Sequence, residues 1–142
     1  MRAIHAKIAN TRKDAMHKFS TELVARSGAI FVGNVQAKTM VKTRMAKSTL
    51  DAGWSMLKTM LEYKSHQAGI VFEEVNEAYT TQTCSCCGII PASSPKGRAG
   101  LGIRRWTCSN CQTEHHRDVN AARNIAALGL KRLAGEIQDA AR

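Results

Sequence analysis

Proline and aromatic residues are scarce in this sequence of 142 residues: there are two prolines, and Phe, Trp and Tyr together make up 5%. So little proline excludes a proline-rich linker protein. Acid is short as well, with 11 Asp+Glu against 21 Lys+Arg, a formal net charge of +10. No run of 18 apolar residues occurs, so no helical membrane span is available. The opening stretch MRAIHAKIANTRKD lacks the continuous apolar core of a secretory signal. Hydrophobic residues nevertheless reach 44%, which excludes a disordered basic tail. The expectation is a basic globular protein of one domain's length, cytoplasmic, without a membrane partner. Its charge excess favours a polyanionic partner.

Residues 1–27 read as an amphipathic helix with Ile4, Ile8, Phe19 and Leu23 on one face and Gly28 as its stop. Ala29–Val35 (AIFVGNV) is a short β-prone run. Residues 36–47 carry Lys38, Lys42, Arg44 and Lys47 without an acid and read as a basic loop. Ser48 with Asp51 resembles a capping box, opening a helix whose face uses Leu50, Trp54, Leu57, Leu61 and Tyr63 and which ends at Gly69. Ile70–Val75 returns as a second strand. Strand, crossover helix and strand imply a parallel pair joined in the right-handed sense. Two strands are too few for an independent sheet. From Val119 to about Leu133 an Ala/Leu/Ile pattern returns to helix.

All five cysteines lie between Cys84 and Cys111. An odd, clustered count without an export signal does not suit a disulfide framework. Cys84-Ser-Cys-Cys87 and Cys108-Ser-Asn-Cys111 are two C-x-x-C pairs, with Gly88 placed to tighten the first turn. Each pair wraps two thiolates around one face of an ion, and two pairs close the tetrahedral sulfur shell that Zn2+ prefers. A closed shell leaves no position for water, so the expected role is structural. Cys86 reads as a spare small side chain. His115 and His116 read as a solvated or phosphate-facing pair; ligation is the alternative, unnecessary because four thiolates already suffice.

Lys96, Arg98, Arg104 and Arg105, with Trp106 beside them, flank this segment. A rigid ribbon presenting Arg and an aromatic ring suits phosphate contact and base stacking; the other reading is a solvated loop with one packed Trp. Downstream lies EHHRDVNAARNI (114–125). By itself Asp118 reads first as a helix N-cap or first-turn acid, with a metal-binding carboxylate at a helix start as the alternative. Asn120 and Asn124 share one helical face and read as ordering that start.

The stretch LDAGWSMLKTMLEYKSHQAG (50–69), then Tyr79-Thr-Thr-Gln-Thr-Cys84-x-x-Cys87-Gly88, then Cys108-x-x-Cys111 and RDVNAARNI (117–125) resembles the C-terminal half of TnpB/OrfB proteins. These are encoded by bacterial and archaeal insertion sequences and resemble miniature type V CRISPR effectors. The resemblance runs from about residue 1 to 128. It implies an α/β fold: a partial RNase-H-like (RuvC-type) core with an inserted four-cysteine zinc ribbon and long flanking helices. It divides the chain into 1–77 (partial core), 78–116 (zinc-ribbon nucleic-acid-binding insert) and 117–142 (closing helix).

In that family an RNA-guided enzyme cuts DNA, and three carboxylates hold Mg2+. Asp118 matches the third acid, in D-x-N-A-A. In the family's order the first acid lies on a strand that precedes the matched region. The second is usually a Glu in a V-E-D-L-type strand, and the aligned run in this sequence is Val32-Gly33-Asn34-Val35. Gly33 cannot bind a metal. Glu73, Glu74 and Glu77 lie on or just after the second strand, with Glu73 and Glu77 on one face. Either the site is dead and these acids are solvated, or a neighbouring strand supplies the carboxylate. In the second case Glu77, at the carboxyl end where open α/β sheets bind ligands, is the favoured replacement.

The expected function is therefore a DNA- and zinc-binding portion of a transposon-encoded nuclease, not competent for cleavage as these residues alone. The expected partners are DNA, a guide RNA and a second chain supplying the missing strands. The other readings are a stand-alone zinc-ribbon module that binds nucleic acid, or one half of a split nuclease.

Overall fold

The computed structural model describes residues 2–34 and 50–140, with side chains over 4–34 and 53–138. The basic stretch 36–47, the Ser48 cap and the Leu50 side chain lie outside the described residues. The elements run α1 (Arg2–Ala25), β1 (Ala29–Gly33), α2 (Leu50–Ala68), β2 (Val71–Val75), a 3-10 turn (Ala99–Gly102), β3 (Arg105–Thr107), β4 (Glu114–His116) and α3 (Arg117–Ala140). They form two compact units, one from residues 2–30 with 50–73, the other from 31–34 with 74–140.

In the first unit α1 packs on α2. Val24, Met60 and Leu61 are buried, and Ser20 and Ser65 are fully so. Side chains this small let two helix backbones approach closely. Lys64 locks the pair: its Nζ donates to His17 O, Ser20 Oγ and Thr21 Oγ1, each at 2.7 Å. The apolar face expected of α1 is not a buried one. Ile4, Ile8 and Phe19 are more than half exposed, and every described side chain from 4 to 15 is exposed. At 1.5 Å per residue, α1 runs about 36 Å and α2 about 28 Å. The contacts onto α2 come from the second half of α1, at Met16, His17, Ser20 and Thr21.

β1 and β2 pair as expected. The N–H of Asn34, just past β1, donates to Val75 O at the end of β2 (2.9 Å). The carboxyl ends of the two strands therefore lie side by side, as a parallel pair requires. Gly69, at φ +68°, ends α2 and turns the chain into β2.

In the second unit β3 and β4 form an antiparallel ribbon with Arg105 opposite His116, Trp106 opposite His115 and Thr107 opposite Glu114. Alternation along each strand buries Trp106 and His115 and leaves their neighbours exposed. α3 follows β4 without a loop, two residues earlier than its apolar pattern implied, and runs on to Ala140. The ring of Phe31 lies where a side chain on Gly129 of α3 would sit. No helix among the described residues is long and apolar enough to cross a membrane.

Candidate metal centre and acidic residues

Two turns of the same design build the sulfur cluster. In the first, Cys84 N–H donates to Ile89 O (2.8 Å) and Gly88 N–H to Cys84 O (2.8 Å). In the second, Cys108 N–H donates to Thr113 O (2.9 Å) and Gln112 N–H to Cys108 O (2.9 Å). Gly88 takes φ +76°, and its counterpart Gln112 takes φ +59° without the freedom of glycine. Each turn folds its C-x-x-C so that both thiols face inward. The Sγ atoms of Cys84, Cys87, Cys108 and Cys111 all lie within 4.8 Å of one another. The 84–111 and 87–108 separations are 3.6 and 3.8 Å. A tetrahedron with Zn–S bonds of about 2.3 Å has edges of about 3.8 Å, so this donor set fits Zn2+. All five cysteines are free, and Cys86 is exposed to solvent.

Backbone donors and burial set the thiols apart. Burial pushes Cys84 up to about 12. Hydrogen bonds from Thr113, side chain and backbone, pull Cys111 down to about 6. The Ile89 N–H lowers Cys87. The buried, reluctant Cys84 thus sits among half-buried Cys87 and Cys111, which ionise more readily.

Two sequence expectations change at this centre. Trp106 is 6% exposed and packs with the cysteines, so its ring is spent on the metal centre and is not free to stack on a base. Strand alternation is the reason: Arg105 faces out, so Trp106 must face in. His115 is not solvated. It is 3% exposed, tilted against Trp106 with centroids 4.8 Å apart, and its Nε2 lies 3.0 Å from Cys84 Sγ. Burial, then the charge of Arg123, push His115 below its ordinary range, favouring the neutral ring. Against a Cys84 thiolate, Nε2–H must be the donor. His116, by contrast, is exposed as expected.

The basic residues Lys96, Arg98, Arg104 and Arg105 are all exposed. Arg105 reaches Glu114 (3.5 Å) and Arg104 reaches Asp118 (3.3 Å). Exposed pairs of this kind add little stability and leave the guanidinium edges accessible. Asp118 lies in the first turn of α3, where the helix dipole favours an anion.

Glu77 follows β2, and its amide donates to Asn34 Oδ1 (3.3 Å). Its carboxylate occupies the space that a side chain at Gly33 would fill: a Cβ built there meets Glu77 Oε2 and Cβ. Burial raises the Glu77 pKa. Among the described residues, the four cysteines form the one group of three or more potential ligands; Glu77 and Asp118 do not join such a group.

Sequence reasoning missed the reach of Asn120 and Asn124. Asn120 is 1% exposed. Its Oδ1 accepts the Ser85 N–H (2.9 Å) and its Nδ2 donates to Thr80 O (3.2 Å) and Thr83 O (2.7 Å). Asn124 Nδ2 donates to the same two carbonyls, at 2.8 Å each. Their i, i+4 spacing was the available signal; their partners lie far upstream in the chain.

Residues 54–125 match the family described as Cas12f1-like, TNB domain. The chain is 36% identical over 129 residues to a protein of Streptomyces pristinaespiralis named "Putative RNA-guided DNA endonuclease", covering 89% of this chain and 31% of that one. It is 32% identical over 132 residues to the CRISPR-associated endodeoxyribonuclease Cas12f1 of Sulfoacidibacillus thermotolerans, covering 92% and 30%. A solved Cas12f1–sgRNA–target DNA complex matches the fold with a TM-score of 0.64 at 20% identity, over 87% of this chain and 36% of that one. The chain belongs to the Cas12f1-like TNB-domain family, among the TnpB-like and Cas12f-like proteins. It spans about a third of the length of these curated relatives.

Proposed function

We propose that these residues form the zinc-ribbon and acid-bearing portion of an RNA-guided DNA endonuclease of the TnpB/Cas12f type. Residues 1–77 belong to a RuvC-type, RNase-H-like core, 78–116 to the inserted ribbon and 117–142 to the closing helix. Cys84, Cys87, Cys108 and Cys111 hold Zn2+, which supplies rigidity to a segment too small to bury a core of its own. Lys96, Arg98, Arg104 and Arg105 meet the phosphates of DNA or of a guide RNA.

The observation that carries the nuclease reading is the exchange between Gly33 and Glu77. Gly33 stands where the resemblance expects an acid, and the carboxylate of Glu77 fills the vacant space beside it. An acid moved to the adjacent strand keeps a hard oxygen donor at the carboxyl end of the β1–β2 pair. Glu77 and Asp118 each carry the kind of oxygen ligand that Mg2+ takes. Bound Mg2+ would activate water and stabilise the leaving oxygen of a phosphodiester. Desolvation makes Glu77 a reluctant anion, which a cation bound beside it would correct.

Two carboxylates are fewer than the family's three, so these 142 residues alone bind nucleic acid without cutting it. The test uses the zinc-loaded chain with single-stranded DNA. Binding should weaken steeply as salt rises, and Mg2+ should produce no cleavage. Mg2+-dependent cutting that disappears in Asp118→Ala would overturn the claim of incompetence. Undetectable binding at low salt would overturn the nucleic-acid role. Once the remaining strands are supplied, Glu77→Gln and Asp118→Asn should each abolish cleavage while DNA binding persists.

A further inference from the structure

We propose that Asn120 and Asn124 transmit the state of the four-cysteine centre to the first turns of α3, so that metal occupancy sets where Asp118 stands. The importance of this coupling for catalysis rests on the proposed role of Asp118; the coupling itself does not.

Two side-chain amides are put to an unusual use. A buried Asn side chain has two donors and an acceptor to satisfy. Asn120 satisfies all three on one upstream segment: Ser85 N–H into Oδ1, Thr80 O and Thr83 O from Nδ2. Asn124, one turn later on the same face, donates to both of those carbonyls again. Residues 80–85 are therefore stapled to α3 at five points. Ser85 lies inside the first C-x-x-C, between Cys84 and Cys87, so its amide is oriented by the fold of that turn.

The turn's other restraints among the described residues converge on its sulfurs, from His115 and from backbone N–H groups. Outside the sulfur cluster it is closed by two backbone hydrogen bonds, Cys84 N–H to Ile89 O and Gly88 N–H to Cys84 O. An ion gripping Cys84 and Cys87 together with Cys108 and Cys111 fixes it. Removing the ion frees the turn, and the Ser85 amide no longer has a fixed direction. Asn120 then loses its donor. Because it is two residues from Asp118, the start of α3 loses a buried anchor close to the acid and is left with the ribbon-side bonds of Arg117 and Arg104. The direction also reverses: a helix start held by Asn120 presents a preformed first turn to the ion, as expected of reciprocal coupling between two sites.

The test is amide hydrogen exchange on the full chain, read in peptides covering 80–88 and 117–125, with zinc and after chelation. Metal content is measured separately for every sample. In the wild type, zinc should slow exchange at the start of α3 by about tenfold or more. In Asn120→Ala the chain should still hold one zinc, yet exchange at 117–121 should be fast and no longer respond to zinc. A merely structural asparagine would speed both states equally and leave the zinc effect intact. Asn120→Asp keeps the acceptor for Ser85 and should retain part of the response. Asn124→Ala, which removes only the second pair of bonds, serves should Asn120→Ala not fold, and should weaken the zinc effect. Zinc-independent protection of α3 in the wild type, or a full zinc effect in Asn120→Ala or Asn124→Ala, overturns the proposal. Absence of zinc from the wild type would overturn the metal reading instead, and metal content alone reports that.

Discussion

His115 sits between the indole of Trp106 and the sulfur of Cys84, almost sealed from water. Four thiolates on a divalent ion carry a net charge of −2, and a buried cluster of that charge needs donors around it. Backbone N–H groups serve Cys84, Cys87 and Cys111. Cys84 is fully buried, as is Cys108, and the imidazole N–H is the side-chain donor placed on Cys84. His115→Phe keeps the ring against Trp106 and removes only that donor. Zinc affinity in a chelator competition should fall about tenfold or more. The sulfur-to-metal charge-transfer band of the Co2+-substituted chain should shift as well. An unchanged affinity would show that the contact is packing alone. No sequence rule marked His115 apart from His116. The difference is which face of β4 each occupies, and register with β3 decides it.

At the scale of elements, close approach governs the second unit. α3 carries Gly129 in its interior, a position where glycine costs about 1 kcal/mol relative to alanine. The cost is accepted because the Phe31 ring occupies the space of the missing side chain. Gly129→Val should therefore destabilise the chain by about 1–3 kcal/mol through overpacking, read as a lower midpoint in urea denaturation. A higher midpoint would show that the ring yields freely and that helix propensity dominates. The helices also show where pattern reading fails. Ile4, Ile8 and Phe19 recur at helical spacing, which implied a buried face. Burial instead follows the partner: α1 meets α2 in its second half, at positions filled by Ser20 and Val24 as much as by large apolar residues. Periodicity reports that a helix has a face, not how far its neighbour extends.

The whole molecule rests on different forces in its two units. Residues 2–30 with 50–73 are held by helix packing and by Lys64, while the ribbon in the other unit is built around sulfur. Chelation should therefore act locally. Trp106 packs on the cysteines whereas Trp54 is 38% exposed, so metal removal should change the near-UV signal of a buried indole while the α1–α2 helicity persists. Loss of all helicity on chelation would show that the first unit depends on the metal. Acid should mimic the chelator. Cys84 holds its proton up to about 12 in the metal-free chain and must release it to ligate. Protons therefore compete with the ion, and apparent zinc affinity should fall as pH falls, by about tenfold or more per unit below neutrality. An affinity independent of pH would exclude thiolate ligation.

The role proposed for Asp118 came only from the resemblance, whereas the two cysteine pairs and the strand–helix–strand order were legible in the residues themselves. Each depends on spacing along a chain whose local geometry is fixed: a C-x-x-C turn brings two sulfurs together wherever it folds. Glu77 could be ranked above its neighbours from alternation and from its place at a strand end, but only the packed β1–β2 pair put its carboxylate into the space left by Gly33. The inward turn of Trp106, the enclosure of His115 and the grip of Asn120 on Ser85 needed the tertiary structure. These contacts join residues far apart in sequence, and their existence depends on strand register and helix placement, which no local pattern encodes.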